Sequence, residues 1–229
     1  MKPIHQHLRE FWWQDRSMVA LLVGLVVVIF IIYPMGGLGH TYGWLLQVCI
    51  SVILIAGVGA VARTRATTWL VAGVAVAGLV SRWLVFLRPS PERVLMDAVL
   101  FALVLGVLAA VVLVQVFRDG PITAGRIVGA VVFYLLLGLM WANVYTIVVL
   151  VRSDAFQFPV APRSANELVA QLIYFSFVTL TTTGYGDVLP LHPLARTLTN
   201  LEALVGQLYP AILIARLVSL ELMRRQADK

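Results

Sequence analysis

The chain has 229 residues, 61% of them hydrophobic and 12% charged, with a net charge of +6. That composition excludes an ordinary soluble domain and points to a polytopic membrane protein. The positive charge is spread over segment ends and forms no basic patch, which excludes a nucleic-acid partner and reads as a topology signal.

Residues 1–17 carry Lys2, Arg9 and Arg16 around Phe11-Trp12-Trp13. This suits an interfacial cytoplasmic segment better than a cleavable signal peptide. From Ser17 to Ala62 no Asp, Glu, Lys or Arg occurs, and the break at Pro34–His40 divides the run into spans at 18–33 and 44–62. The single cysteine, Cys49, lies inside this run and reads as a small hydrophobe. Arg63 and Arg65 mark a tight turn, and a third span covers 66–87, with Arg82 near its end. RPSPER (88–93) is a turn, because its prolines cannot continue a helix. The fourth span covers 94–117 and the fifth 122–150, separated by Arg118-Asp119-Gly120-Pro121. Between Val94 and Phe117 stands one acid, Asp97, and no base. A voltage sensor needs repeated arginines, so steep voltage gating is not expected.

After a polar connection from Val151 to Asn166, residues 168–186 are again free of charge. ELVAQLIYFSFVTL, which begins at Glu167, predicts a helix of about 14 residues, roughly 21 Å long and too short to cross a hydrocarbon core of about 30 Å. The residues that follow, Thr182 to Gly186, make poor helix. Non-helical backbone at membrane depth persists only where protein or water surrounds it, so the stretch reads as a re-entrant loop lining an aqueous path. The last span covers 195–222 and ends in Arg224-Arg225, with little chain left for a further ligand-binding domain. With six spans, ten basic residues fall on the side of the termini and six on the other, which predicts cytoplasmic termini.

The loop reads TLTTTGYGDV. A dehydrated cation needs oxygen ligands in place of its water. Glycines at 184 and 186 let successive carbonyls turn toward one axis. A hydroxyl at Thr182 adds to them, and Asp187 places negative charge at the mouth. One chain supplies too few oxygens, so the site must be shared by subunits in a ring.

These residues resemble the pore domain of tetrameric potassium channels. The resemblance covers 122–222 and rests on Thr182-Thr183-Gly184-Tyr185-Gly186-Asp187, with Arg196 and Gly206 at supporting positions. It implies K+ sites at the carbonyls of Thr182, Thr183, Gly184 and Tyr185 and at the Thr182 hydroxyl. Thr183 departs from the pattern, which commonly has valine there, and its hydroxyl is expected to alter packing behind the filter and soften selectivity.

Several residues carry two readings. Tyr174 and Phe175 either buttress Tyr185 or pack as ordinary helix residues. Glu202, about 9 Å along the helix from Arg196, either hydrogen-bonds behind the filter or faces an outer vestibule. Gly206 and Pro210 form a gating hinge, unless Gly206 serves close packing. Arg216 is an interfacial anchor or a pore-facing charge. The small residues of Gly125–Gly129 permit close helix approach. The four histidines lack metal-ligand spacing. Gly-Tyr-Gly-Asp also fits an intramembrane aspartyl protease, whose partner carboxylate would have to be Asp97.

The sequence therefore predicts an all-α membrane protein with six transmembrane helices plus a re-entrant pore helix and filter, assembled as a homotetramer. Its parts are residues 1–17, a four-helix membrane domain at 18–117, a pore domain at 118–223 and a tail at 224–229. The expected function is passive, potassium-selective conduction in the cell membrane, with K+ as the transported ion, no organic cofactor and no catalytic residues. Expected partners are three further copies, membrane lipids and a possible regulatory subunit. A weakly selective cation channel is the alternative within transport. The sequence leaves the gating stimulus open.

Overall fold

The computed structural model describes residues 18–37, 40–61, 65–88, 90–118 and 123–227. The expected interfacial segment 1–17, the turn at Arg63, Asp119-Gly120-Pro121 and Lys229 lie outside the described residues, as do the side chains of Arg224 and Arg225.

The chain folds as helices α1 (Met18–Ile32), α2 (His40–Val61), α3 (Arg65–Leu87), α4 (Pro91–Val116), α5 (Ala124–Val151), α6 (Ala165–Leu180) and α7 (Pro193–Ala227). Two short strands, β1 (Phe156–Gln157) and β2 (Leu189–Pro190), flank α6 and its following loop. The end of α1 is wound as a π-helix over Val28–Ile32, closed by Tyr33 N–H donating to the Val28 carbonyl at 2.9 Å.

Local chemistry sets the helix starts. Ser90 caps α4 by accepting from the Arg93 amide at 3.4 Å, and Pro91 fits the first turn because its missing N–H would have no partner there. Ser164 caps α6 by accepting from the Glu167 amide at 3.2 Å. Glu167 reaches back to accept from the Arg163 amide at 2.7 Å. This double cap starts α6 at Ala165, two residues before the expected Glu167.

Helix α5 is the centre of the packing. It is apolar all round, as a helix enclosed by others must be. Leu136, Tyr145 and Val132 on it are fully buried, and α4 and α6 flank it. Helix α7 is the opposite case: 11% of its apolar stretch is buried, against 61% for α5. Leu201, Leu204, Leu208, Ile212 and Val218 stand exposed along it. So large an apolar face is stable only against lipid or further protein.

Among the described residues three stretches are long and apolar enough to cross a membrane: Pro91–Val116, Ala124–Val151 and Pro193–Leu220. Helix α6, at 16 residues, is about 24 Å long and falls short of a crossing. The polar connection 151–166 contains β1. It pairs antiparallel with β2, Phe156 opposite Pro190 and Gln157 opposite Leu189. Strands of two residues are too short for any alternation to appear in the sequence.

Helices α5 and α6 approach so closely at Gly138 that an added Cβ would lie 2.7 Å from the Phe177 ring. Gly138→Ala should destabilise the protein by about 1–3 kcal/mol through overpacking. A lowered Tm of the detergent-purified protein would register this. Gly73→Ala, where a Cβ meets nothing within 4 Å, should leave the Tm unchanged or raise it.

Candidate functional site

The site is the segment that leaves the C-terminus of α6. The backbone first turns on the helix end. Thr182 N–H donates to the Thr179 carbonyl at 2.9 Å, while Thr183 and Gly184 donate to the Val178 carbonyl at 2.9 and 3.3 Å. Carbonyls left over at a helix terminus thus hold the first residues of the segment.

Past that point φ is positive at every second residue: +58° at Thr182, +60° at Gly184 and +74° at Gly186. Thr183 and Tyr185, between them, have negative φ. In a strand, where all φ are negative, successive carbonyls point to opposite sides. Alternating the sign of φ can turn them to the same side. Gly184 and Gly186 are required for their backbone angles and not for space, since a Cβ at either would meet nothing within 4 Å. Thr182 has no such freedom. A β-branched residue at positive φ is strained by about 1–3 kcal/mol, and the hydrogen bonds at 182–184 hold it there.

All residues from Thr181 to Asp187 are exposed, whereas Val188 behind them is buried. The Thr183 hydroxyl is 2.8 Å from that of Thr181, which donates to the Phe177 carbonyl at 2.7 Å. Thr181 has one proton and gives it to Phe177, so Thr183 donates to Thr181. The hydroxyl that replaces a methyl at position 183 is therefore tied to the end of α6.

Tyr174 and Phe175 part company. The Tyr174 ring stacks on Tyr185, with centroids 6.4 Å apart and planes within 3°, and its hydroxyl interacts with Asp187. Asp187 also accepts from the Val188 amide at 3.0 Å. Phe175, one residue on and about 100° around the helix, points into the core instead. There it meets Tyr145 edge-on at 5.2 Å and Phe156 at 5.4 Å. Phe175 is thus not a direct support of Tyr185, and its contact is with α5 and β1.

Glu202 is fully buried, which removes the vestibule-facing reading. Tyr145 on α5 donates to its Oε2 at 2.5 Å, and Oε1 lies 2.5 Å from the Ser176 hydroxyl on α6. Ser176 also donates to the Gly138 carbonyl at 2.8 Å. One side chain thus links the three helices that surround the loop.

Gly206 packs directly on the end of α6: a Cβ there would lie 2.1 Å from the Leu180 carbonyl oxygen. The same oxygen accepts from the Tyr134 hydroxyl at 3.1 Å. Close approach alone requires glycine at this position. Helix α7 runs unbroken through Gly206 and Pro210. Tyr209, next to the proline, donates to the Ala130 carbonyl at 3.0 Å. Beyond the loop, Arg196 Nε donates to the Pro190 carbonyl at 3.0 Å and holds β2. Arg216 lies over the Phe117 ring, 5.0 Å from its centroid, and donates to the Phe117 carbonyl, which makes it an anchor between α7 and α4. Asp97 is paired with Arg82 at 3.1 Å, and Asp187 has its own partners, so each carboxylate is engaged apart from the other. Sequence reasoning missed Gly138, Tyr145 and Ser176. Their signal, a glycine or hydroxyl on an apolar helix, is too common to single them out.

A short helix that stops partway, a glycine-bearing segment folded back from it and two long apolar helices around them define a membrane pore protein. The comparisons agree. The family described as Ion channel matches residues 144–221, from the last turns of α5 through the loop and most of α7. Protein LctB of Bacillus caldotenax is 33% identical over 126 residues, half of this chain and 92% of that relative. No solved structure gives a significant match. The chain belongs to this ion channel family, of the potassium-channel pore type; it is a membrane ion channel and not an enzyme.

The buried glutamate gives a sharp test. Glu202→Gln keeps an acceptor for Tyr145 and offers a donor to Ser176, so the helix packing should survive. Glu202→Ala leaves the buried Tyr145 hydroxyl without its acceptor, at about 1–3 kcal/mol, while Ser176 keeps the Gly138 carbonyl. Thermal unfolding of the two variants should show the alanine form clearly less stable and the glutamine form close to wild type.

Proposed function

We propose that four copies of the chain form a potassium-selective channel with one central path. The filter is Thr182, Thr183, Gly184, Tyr185 and Gly186. K+ sits at the carbonyls of Thr182, Thr183, Gly184 and Tyr185 and at the Thr182 hydroxyl, and these oxygens replace its hydration shell. The observation that carries this reading is the alternation of φ at Thr182, Gly184 and Gly186 on an exposed segment held only from behind. Such a segment can offer successive carbonyls to one side, and that side needs partners.

The bare face of α7 supports the tetramer, since an inner ring of four such helices buries what one copy leaves uncovered. Residues 118–223 form the pore domain, α6 being its re-entrant pore helix, and residues 18–117 form a surrounding four-helix domain. The six crossings of this reading are α2 to α5, α7 and the apolar run that contains α1, whose described part, Met18–Ile32, is by itself shorter than a full crossing. Both termini lie in the cytoplasm and the protein sits in the cell membrane. Asp187, held by Tyr174, keeps negative charge at the mouth, where it concentrates cations. Glu202 fixes the pore helix against its neighbours, and a gating bend of α7 at Gly206 and Pro210 would have to release the close contact of Gly206 with Leu180.

The Thr183 hydroxyl favours a second reading, a weakly selective cation channel, because it replaces an apolar contact behind the filter with an exchangeable hydrogen bond. Flux from proteoliposomes separates the two. A potassium gradient should drive at least about tenfold more tracer uptake than an equal sodium gradient in the selective channel, whereas equal rates establish the weakly selective one.

The four-helix domain lacks a charge ladder on α4. Moving one charge through the membrane field is worth about 2.3 kcal/mol per 100 mV, and without several such charges opening cannot be steep in voltage. Planar-bilayer recordings should give a shallow conductance–voltage relation, and a steep sigmoid would refute the assignment.

A further inference from the structure

A second polar site lies away from the filter. A partly open cavity of about 250 Å3 separates the four-helix domain from the pore helices. Tyr33, Gln47, Arg82 and Asp97 line one side, and Asn143 of α5 and Asn166 of α6 line the other. Arg82 Nη1 donates to Asp97 Oδ2 at 3.1 Å, and its guanidinium lies 4.4 Å from the centroid of the Phe101 ring.

Two buried atoms of this site have no hydrogen-bond partner among the described residues: Asp97 Oδ1, an acceptor, and Gln47 Nε2, a donor. Their residues are only 7% and 6% exposed. A buried carboxylate oxygen without a donor is costly in a low-dielectric setting. A ligand satisfying both atoms must bring a hydrogen-bond donor and an acceptor together. The Arg82–Asp97 pair is neutral as a whole, which favours a neutral ligand with separated charges. Its cation would face Asp97 Oδ1, and its anion Gln47 Nε2 and the remaining guanidinium N–H groups, of which an arginine has five. Apart from Thr146, whose hydroxyl donates to the Ala142 carbonyl at 2.9 Å, the rest of the lining, including Phe86, Val94, Val169 and Ile173, is apolar.

We propose that this cavity binds the phosphoethanolamine headgroup of phosphatidylethanolamine, its primary ammonium on Asp97 and its phosphate toward Arg82 and Gln47. A choline headgroup has the same charges but no N–H donor, and a glycerol headgroup lacks the cation. The lipid would touch both parts of the chain. On α6 it meets Asn166 and Val169, on the helix whose far end holds the filter. Beside Asp97, the Asn143 side chain donates to the Ala98 carbonyl at 2.5 Å and joins α5 to α4.

Native mass spectrometry of the protein extracted from vesicles containing equal phosphatidylethanolamine, phosphatidylcholine and phosphatidylglycerol tests this. Wild type should retain phosphatidylethanolamine in preference to the other two by about tenfold, the weight of one charge-assisted hydrogen bond. Asp97→Asn and Gln47→Leu, each checked for unchanged helical circular dichroism, should lose that preference. Equal retention of the three lipids, no retained lipid because water fills the cavity, or an undiminished preference in Asp97→Asn would each overturn the proposal. So would binding of soluble O-phosphoethanolamine to protein that shows no preference among the lipids, which would assign the cavity to a free zwitterion. An effect of this lipid on conduction rests on the proposed channel reading. Flux that fails in every lipid mixture would end that reading and leave the retention result standing.

Discussion

Peptide groups cannot be left unpaired in hydrocarbon, and this constraint governs the structure around residues 181–187. Non-helical backbone survives at membrane depth only when protein or water meets its polar groups. Here the protein side is met by the end of α6, whose Val178 and Thr179 carbonyls accept from the amides of residues 182–184. The other side is left open, with every residue from Thr181 to Asp187 exposed. In the proposed tetramer that open side faces the ion path. A segment held from behind can keep Thr182 at a strained positive φ, and strain held by surrounding structure is a common property of functional sites.

The surroundings of α6 serve that hold. Its C-terminal carbonyl at Leu180 receives the Tyr134 hydroxyl and lies against Gly206. Its middle is fixed by Ser176, which meets both Glu202 and Gly138. Its aromatics divide, Tyr174 to Tyr185 and Phe175 to the core. These contacts bear on the same short helix from both α5 and α7, so a small displacement of either would be felt at residues 182–186. A buried acid at Glu202 suits such a junction because one carboxyl group reaches two hydroxyls at once, which an apolar side chain cannot do.

Helices α1 to α4 have a different character. Their core is apolar, and their one ion pair among the described residues, Arg82 with Asp97, joins α3 to α4. A single charge pair of this kind fixes helix positions and does not constitute a voltage sensor. These helices instead share with α5 and α6 a cavity that has polar groups in its lining.

The membrane class, the helix order and the short helix before TTGYGD were all legible in the sequence, because they depend on local quantities. Charge-free runs, prolines and caps mark helix limits, and glycine marks backbone angles closed to other residues. The positive φ at Thr182 was not legible, since threonine gives no such signal. Nor was the division between Tyr174 and Phe175, because adjacent residues on a helix point about 100° apart and only the neighbours decide which one meets Tyr185. The pairing of β1 with β2, the close contact at Gly206 and the burial of Glu202 among Tyr145 and Ser176 likewise belong to the tertiary structure alone. Each joins residues far apart in the chain, and a single sequence carries no record of which distant group will supply the missing hydrogen bond or fill the space where a side chain is absent.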